Sequence, residues 1–130
     1  MAPGYAHAVS LNPVLLGLRF LLELTALVSA GVLGWRLTEG PGRWLLVILL
    51  PVIAATAWGV FAVPDDPSRS GAAPVAVPGA IRLLVEFAVL FGGAAALWFA
   101  GLPRLALVSA AILLAYHLLA YDRVLWLLRR

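Results

Sequence analysis

Two Arg–Glu pairs inside long apolar runs are the residues best suited to chemistry in this sequence. Arg19 and Glu23 are four residues apart, and Arg82 and Glu86 repeat that spacing 63 residues later. Residues four apart lie on one face of a helix. Ionisable groups inside a membrane span are costly and usually functional. The pattern therefore marks these four side chains as the first candidates for a functional site.

The residues alone leave two interpretations of these pairs open. Trp35 and Trp98 share the 63-residue offset, and each lies twelve residues from its glutamate, about 18 Å along a helix. If the tryptophans mark one interface, both glutamates lie a little beyond the midplane of a bilayer core of about 30 Å. Arg19 and Arg82 would then reach the opposite interface as anchors. The glutamates either form structural ion pairs with these arginines or bind a proton, a cation or a polar ligand.

A second polar group lies in the last apolar run and contains Tyr116, His117, Tyr121 and Asp122. His117 and Tyr121 share a helical face, and His117 is predicted at the depth of Glu86 on the preceding helix. A Glu–His pair there would relay protons or hold a ligand; the alternative is a hydrogen-bonded patch that fastens two helices together. No metal site is expected, because the sequence has no cysteine and only one other histidine.

The composition predicts an integral membrane protein. Hydrophobic residues make up 64% of the 130 residues and charged residues 12%, which is too apolar for a soluble domain. All nine basic residues are arginines, scattered around the apolar runs. Despite the net charge of +3, this placement indicates interface anchors and topology signals and argues against nucleic-acid binding.

The predicted fold is an all-α membrane protein with four transmembrane helices, arranged as two duplicated hairpins that form a bundle. Since an even number of spans separates the two copies, the repeats are expected to lie parallel in the membrane. The predicted segments are a lead-in at 1–12, hairpin 1 at 13–63 with helices at about 13–36 and 43–63, a Pro-rich loop at 64–78, and hairpin 2 at 79–130 with helices at about 79–100 and 104–126.

The Pro-rich loop is predicted to be the most mobile internal segment. It follows helix 2 and lies near the Arg19 and Arg82 ends of the spans, where Asp65 and Asp66 are candidate partners for those arginines. The arginines of the loop and the C-terminus outnumber those of the short turns by one. The positive-inside rule then favours a bacterial inner-membrane protein with both termini in the cytoplasm.

The expected partners are the lipid bilayer and, through small residues, another helix surface. Small residues spaced along a helix allow close approach of a neighbouring helix. Two such rows either close the bundle or form a homo-oligomer contact: Ala26, Ala30 and Gly34 on helix 1, and Gly92, Gly93 and Ala96 on helix 3.

Three short stretches carry a family resemblance: Leu18–Leu24 (LRFLLEL), Trp58–Pro64 (WGVFAVP) and Ile81–Phe87 (IRLLVEF). They resemble the YrdB-like family of small four-helix bacterial membrane proteins of unknown function, and the similarity covers about residues 11–125. The resemblance implies a four-helix inner-membrane protein. It implies no particular activity, cofactor or site residue.

Two functions stay open from the sequence. The first is a small transporter-like unit whose mid-membrane glutamates bind a proton, a cation or a polar ligand, with Glu86 as the principal group and Glu23 mainly structural. The second is a structural or accessory subunit in which the Arg–Glu pairs specify helix packing or partner binding. An enzyme is not expected, because no nucleophile–base pair, metal motif or cofactor signature is present.

Overall fold

The computed structural model of the chain describes residues 8–69 and 73–130 and is mostly helical there. A short 3-10 helix at Val9–Leu11 comes first, and a pair of two-residue strands lies between the second and third α-helices. The elements that follow the 3-10 helix are α1 (Pro13–Leu37), α2 (Gly42–Val60), β1 (Phe61–Ala62), β2 (Val75–Ala76), α3 (Gly79–Phe99), α4 (Pro103–Leu119) and α5 (Tyr121–Leu128).

Three of these helices, α1, α2 and α3, are long and apolar enough to cross a membrane. Their 25, 19 and 21 residues correspond to about 37, 28 and 31 Å of helix. The start of α1 is fixed locally, since the Asn12 side chain accepts a hydrogen bond from the Val14 N–H at 2.9 Å and Pro13 suits the first turn. The prediction of a membrane protein built from long apolar helices is therefore supported by the structure.

The fourth predicted span is broken, which corrects the expectation of one continuous helix at 104–126. α4 and α5 meet at Ala120 with a bend of 69°, so a fourth span exists only if the bent pair counts as one. The break coincides with the polar residues that begin α5. Asp122 accepts hydrogen bonds from the Ser10 N–H and hydroxyl, and Arg123 is buried. A straight helix would separate Asp122 from Ser10 and remove Arg123 from its buried position.

The core lies where α1 crosses α3. Leu22 and Ala26 of α1 pack with Leu90 and Ala94 of α3. At Gly93, an added Cβ would come within 2.7 Å of the Ala26 Cα, so the close approach of the two backbones requires glycine at that position.

α2 packs mainly on α1, and none of its residues, all of which are described, is fully buried. Its large apolar side chains, among them Trp44, Leu45 and Ile48, are about two-thirds exposed, as expected for a surface that faces lipid. The close contact with α1 is at Gly34, where an added Cβ would lie 2.5 Å from the Leu46 carbonyl oxygen.

The small-residue rows are thus mostly used inside the chain. Ala26, Gly34, Gly93 and Ala96 are buried against neighbouring helices, whereas Ala30 is half-buried and Gly92 is exposed. These four residues serve contacts within the chain, and the homo-oligomer contact through these rows stays a prediction.

The segment between α2 and α3 begins earlier than predicted. α2 ends at Val60, because Phe61 and Ala62 leave the helix to pair in parallel with Val75 and Ala76. The predicted mobility of the loop at 64–78 covers residues 70–72, which lie outside the described residues, as do residues 1–7 of the lead-in. The strand pairing ties the two described ends of the loop together beside the N-terminus of α3.

Candidate functional site

Glu86 lies at the centre of a buried cluster of three arginines. Its Oε2 accepts hydrogen bonds from Arg19 Nη2 at 3.0 Å, from Arg82 Nε at 2.7 Å and from Arg123 Nη2. Arg123 Nε also donates to Oε1 at 3.2 Å. Glu86 is only 3% exposed and Arg82 only 2%, so three guanidinium groups share one carboxylate away from solvent.

Three helices and one bend position this cluster. Arg82 and Glu86 lie one turn apart on α3, and Arg19 reaches them from the facing side of α1. Arg123 belongs to α5, and the bend at Ala120 brings it against the N-terminal part of α3. The cluster therefore joins the first, third and last α-helices at one end of the molecule.

Asp66 extends the cluster into the loop. Arg123 binds its carboxylate with two parallel hydrogen bonds, Nη1 to Oδ1 at 3.0 Å and Nη2 to Oδ2 at 2.9 Å, the strong bidentate geometry of arginine–carboxylate pairs. Asp65, with a φ of 63°, forms the left-handed turn that directs Asp66 inwards. Ser68 donates its N–H and hydroxyl to Asp66 Oδ1 and accepts from Arg123.

The same contacts set the ionisation of Asp66. Burial acts to raise the pKa of this carboxyl, but the hydrogen bonds and charge of Arg123, together with the Ser68 hydrogen bonds, outweigh it and lower the pKa from 3.8 to about 2. Asp66 is consequently a fixed negative charge at neutral pH.

Trp58 forms an aromatic wall of the site near the end of α2. The guanidinium of Arg82 lies 4.7 Å from the indole centroid and that of Arg19 lies 5.2 Å from it, within the range of cation–π attraction. Arg82 Nη1 also donates to the carbonyls of Trp58 and Phe61. Arg82 thus satisfies carbonyls that the end of α2 leaves without helical partners.

A polar pocket of about 330 Å³ opens beside the cluster, between α1, α2, α3 and the loop. Glu23 lies on its wall, with its side chain 25% exposed and its Oε1 3.5 Å from Arg19 Nε, a longer contact than any that Glu86 makes with its arginines. The complete lining is Arg19, Glu23, Trp58, Gly59, Asp66, Ser68, Arg69 and Arg82.

The charges of the cluster and the pocket do not cancel. Four guanidiniums meet three carboxylates, which leaves a net charge of +1; the groups are Arg19, Arg69, Arg82 and Arg123 against Glu23, Asp66 and Glu86. Within residues 8–69 and 73–130, no three acidic or histidine side chains are grouped so that they could hold a metal ion. The chemistry that this arrangement offers is therefore binding of an anionic group by guanidiniums.

The structure brings together four of the six candidate site residues, which are Arg19, Glu23, Arg82, Glu86, His117 and Tyr121. Arg19, Arg82 and Glu86 form the cluster, and Glu23 lies at the pocket. Arg19 and Arg82 are buried in ion pairs with Glu86 and do not extend outwards as anchors would. Tyr121 is 60% exposed and lies outside the cluster.

His117 does not form the expected pair with Glu86. Both residues are described, and His117 is absent from the hydrogen-bond partners of Glu86; its Nδ1 lies 2.7 Å from the Leu113 carbonyl oxygen. Its ring packs against Phe87 and Phe91 of α3. This side chain fastens α4 to α3, as in the alternative interpretation, and no Glu–His relay is formed.

Sequence reasoning missed Arg123 and Trp58 and assigned Asp66 to the wrong arginines. Arg123 was among the arginines interpreted as interface anchors and topology signals, and Trp58 was not a candidate residue. The sequence did contain one relevant signal. The two apolar runs hold equal numbers of arginines and glutamates, so any further buried arginine needs a carboxylate from elsewhere, and the loop supplies two aspartates.

Comparisons with known proteins show the family to which the chain belongs. The model of a family described as "Protein of unknown function (DUF2568)" matches residues 17–114. The chain is also 38% identical to "Uncharacterized protein YrdB" of Bacillus subtilis (strain 168) over 120 residues, which cover 92% of this chain and 98% of that protein. No solved structure matches the chain. The resemblance to the YrdB-like family is thereby confirmed.

Proposed function

The chain belongs to the DUF2568 family, and we propose that it is a transporter-like membrane protein whose pocket beside the buried arginine cluster binds a small anionic group. The observation that carries this proposal is the sharing of one carboxylate, Glu86, among three guanidiniums. Two carboxylates, those of Glu86 and Asp66, face the three buried arginines, so one positive charge remains beside the pocket before Glu23 and Arg69 are counted. A buried surplus of positive charge favours an anion, and arginine is the side chain best shaped to hold carboxylate or phosphate.

Glu23 is the group that would respond to a ligand. Asp66 is held by two hydrogen bonds from Arg123, whereas Glu23 is held by one contact of 3.5 Å and is partly exposed to the pocket. An incoming anion would compete with Glu23 for Arg19, and protonation of Glu23 would raise the net charge of the site from +1 to +2. This assigns the exchangeable role to Glu23 and the structural role to Glu86, the reverse of the sequence-based expectation.

The setting that we propose is the bacterial inner membrane, with the pocket on the cytoplasmic side. The excess of arginine in the loop and at the C-terminus supports this orientation. The 63-residue offset between the two Arg–Glu pairs supports a duplicated pair of hairpins. In this arrangement one copy supplies the exchangeable glutamate and the other supplies the glutamate that anchors the cluster.

The accessory-subunit hypothesis ranks second. Its mechanism requires that the Arg–Glu pairs present charge to a partner, but Arg19, Arg82 and Glu86 are satisfied within the chain and are less than a tenth exposed. An accessory role would therefore have to use the apolar faces of the helices, which are also the surfaces that lipid covers.

Titration of the full chain with inorganic phosphate in mild detergent tests the proposal. Chloride at constant ionic strength serves as the reference anion, and heat of binding and melting temperature are the measurements. We expect Arg69→Gln to weaken phosphate binding about tenfold, as the loss of one hydrogen bond to a charged group does. Glu23→Gln should bind phosphate more tightly, because it removes the competing carboxylate.

Arg104→Gln is the matched control. Arg104 is exposed at the start of α4, at the opposite end of α3 from the pocket, so phosphate binding should not change. Absence of phosphate binding, or an equal loss in the Arg104 and Arg69 variants, would reject a specific anion site.

A further inference from the structure

An apolar groove lies between the same three helices that form the charged pocket. Its volume is about 290 Å³, and its wall is made largely of small residues: Ala26 and Ala30 of α1, Ala54 and Ala57 of α2, and Gly92 and Gly93 of α3. Small side chains on three adjacent helices leave this space open between them. The groove is therefore a space that the bilayer interior must fill.

The residues that line the groove and the pocket are neighbours along α1 and α2. On α1, Ala26 follows the pocket residue Glu23 by three positions, about 4.5 Å along the axis. On α2, Ala57 directly precedes the pocket residue Trp58. A single ligand can therefore reach both spaces, with a polar part against the arginines and an apolar part along the helices.

We propose that the pocket and the groove together bind one anionic phospholipid, with its phosphate in the polar pocket beside Arg69 and one acyl chain in the groove. This inference rests on the proposed function and names the ligand class of the same site. Basic pockets between membrane helices bind anionic lipid head groups, and the net charge of +1 at the pocket selects such a head group over a zwitterionic one. The groove runs from Leu50 to Ala57 on α2 and from Ala88 to Ala96 on α3, about 10 to 12 Å, which suits the upper part of an acyl chain.

A second apolar groove provides an internal contrast. It lies between α1 and the α3–α4 turn, has a volume of about 600 Å³, and is lined by residues such as Leu21, Val28 and Ser109, with no charged side chain. Because no charged side chain lines this groove, it does not distinguish between lipid head groups. The charge at the top of the first groove, and not the groove itself, is what makes lipid binding selective.

Gly92 and Gly17 provide a matched pair of variants for the test. A Cβ added at either glycine meets no described atom within 4 Å, so both positions have open space where a side chain would begin. Gly92 lines the groove and Gly17 does not. Gly92→Leu should therefore fill the groove, while Gly17→Leu adds the same side chain at an exposed position of α1.

The experiment is native mass spectrometry of the full chain, released from mixed micelles that contain equal amounts of phosphatidylglycerol and phosphatidylcholine. We expect the wild-type chain and Gly17→Leu to retain phosphatidylglycerol preferentially. Gly92→Leu should reduce the amount of retained phosphatidylglycerol about tenfold, since the acyl chain loses its buried surface. Arg69→Gln should instead reduce the preference over phosphatidylcholine, because the head group loses a charged donor.

Each other outcome overturns the inference in a distinguishable way. If inorganic phosphate binds in the titration described above but Gly92→Leu retains as much phosphatidylglycerol as the wild-type chain does, the anion site stands and the lipid assignment fails. If neither phosphate nor phosphatidylglycerol binds selectively, both proposals fail. If the chain has twice its mass and only Gly92→Leu restores the single mass, the groove is occupied by a second copy and the lipid assignment is again wrong.

Discussion

Glu86 holds three positive charges in place, so its loss should be felt mainly in folding. Removing one partner of a buried ion pair leaves an uncompensated charge and typically costs about 3–5 kcal/mol. We expect Glu86→Gln to lower the free energy of unfolding by about that amount, since Arg82 would lose its ion pair. Arg19 would keep only its long contact with Glu23, and Arg123 only its pair with Asp66. Denaturant unfolding of the full chain in detergent measures this change.

Glu23→Gln is the matched substitution, because it replaces a glutamate by glutamine on α1 as Glu86→Gln does on α3. Its side chain is partly exposed and its single ion pair is long, and such pairs contribute at most about 1 kcal/mol. If Glu23→Gln destabilises the chain as much as Glu86→Gln does, the division into an anchoring and an exchangeable glutamate is wrong.

Asp66 should make stability depend on pH in a narrow acidic window. Its pKa is about 2 in the folded chain against an ordinary value of 3.8, so the folded state favours the charged carboxylate. A lowered pKa contributes stability above the unfolded value, here about 2 kcal/mol. That contribution is lost as the pH falls from about 4 to about 2.

The measurement is the difference in unfolding free energy between the wild-type chain and Asp66→Asn across this range. We expect a constant difference above pH 5 that shrinks towards zero near pH 2. A difference that stays the same down to pH 2 would mean that Arg123 does not hold the carboxylate in its charged form.

The sequence predicted the buried half of the site better than the loop half. Arg19, Glu23, Arg82 and Glu86 stand out because charge inside an apolar run has a high desolvation cost, which makes it informative. Arg123 and Asp66 lie near a chain end and in a loop, where charge is common and carries little information. Their pairing depends on the bend at Ala120 and on the left-handed turn at Asp65, which composition and periodicity do not encode.

Two adjacent glycines of α3 have different surroundings: one lies at a close helix contact and the other borders open space. A Cβ at Gly93 would lie 2.7 Å from the Ala26 Cα, whereas one at Gly92 meets no described atom within 4 Å. We expect Gly93→Ala to destabilise the chain by about 1–3 kcal/mol through overpacking of the α1–α3 crossing. Gly92→Ala should be neutral or stabilising by up to about 1 kcal/mol, because alanine favours the helix.

Thermal unfolding of both variants decides the point. Equal melting temperatures would mean that α1 and α3 separate easily, and the crossing at Ala26 would then not be the centre of the core. The small-residue rows on these helices were recognisable from the sequence. Their use within the chain was not, since the same spacing serves contacts within and between chains.

The path of α4 and α5 determines where the two ends of the chain lie. α4 has 17 residues, about 25 Å, so it nearly crosses a core of about 30 Å before α5 turns across the end of the molecule. Ser10 donates to Asp122, which places the beginning of the described chain beside α5. Both ends of the described part of the chain therefore lie at the end of the molecule that carries the arginine cluster.

This geometry leads to a topology prediction that native cysteines cannot obscure, since the sequence contains none. Single cysteines replace Val9 and Leu128, both more than half exposed, and Gly40 in the exposed turn between α1 and α2. If α4 and α5 together complete a fourth crossing, a membrane-impermeant thiol reagent in sealed vesicles should label positions 9 and 128 from one side and position 40 only from the other. Labelling of positions 9 and 128 from opposite sides would mean that α4 and α5 do not complete a fourth crossing. The buried contact between Ser10 and Asp122 could not then form in the membrane, and the arginine cluster would lose the α5 side that Arg123 supplies.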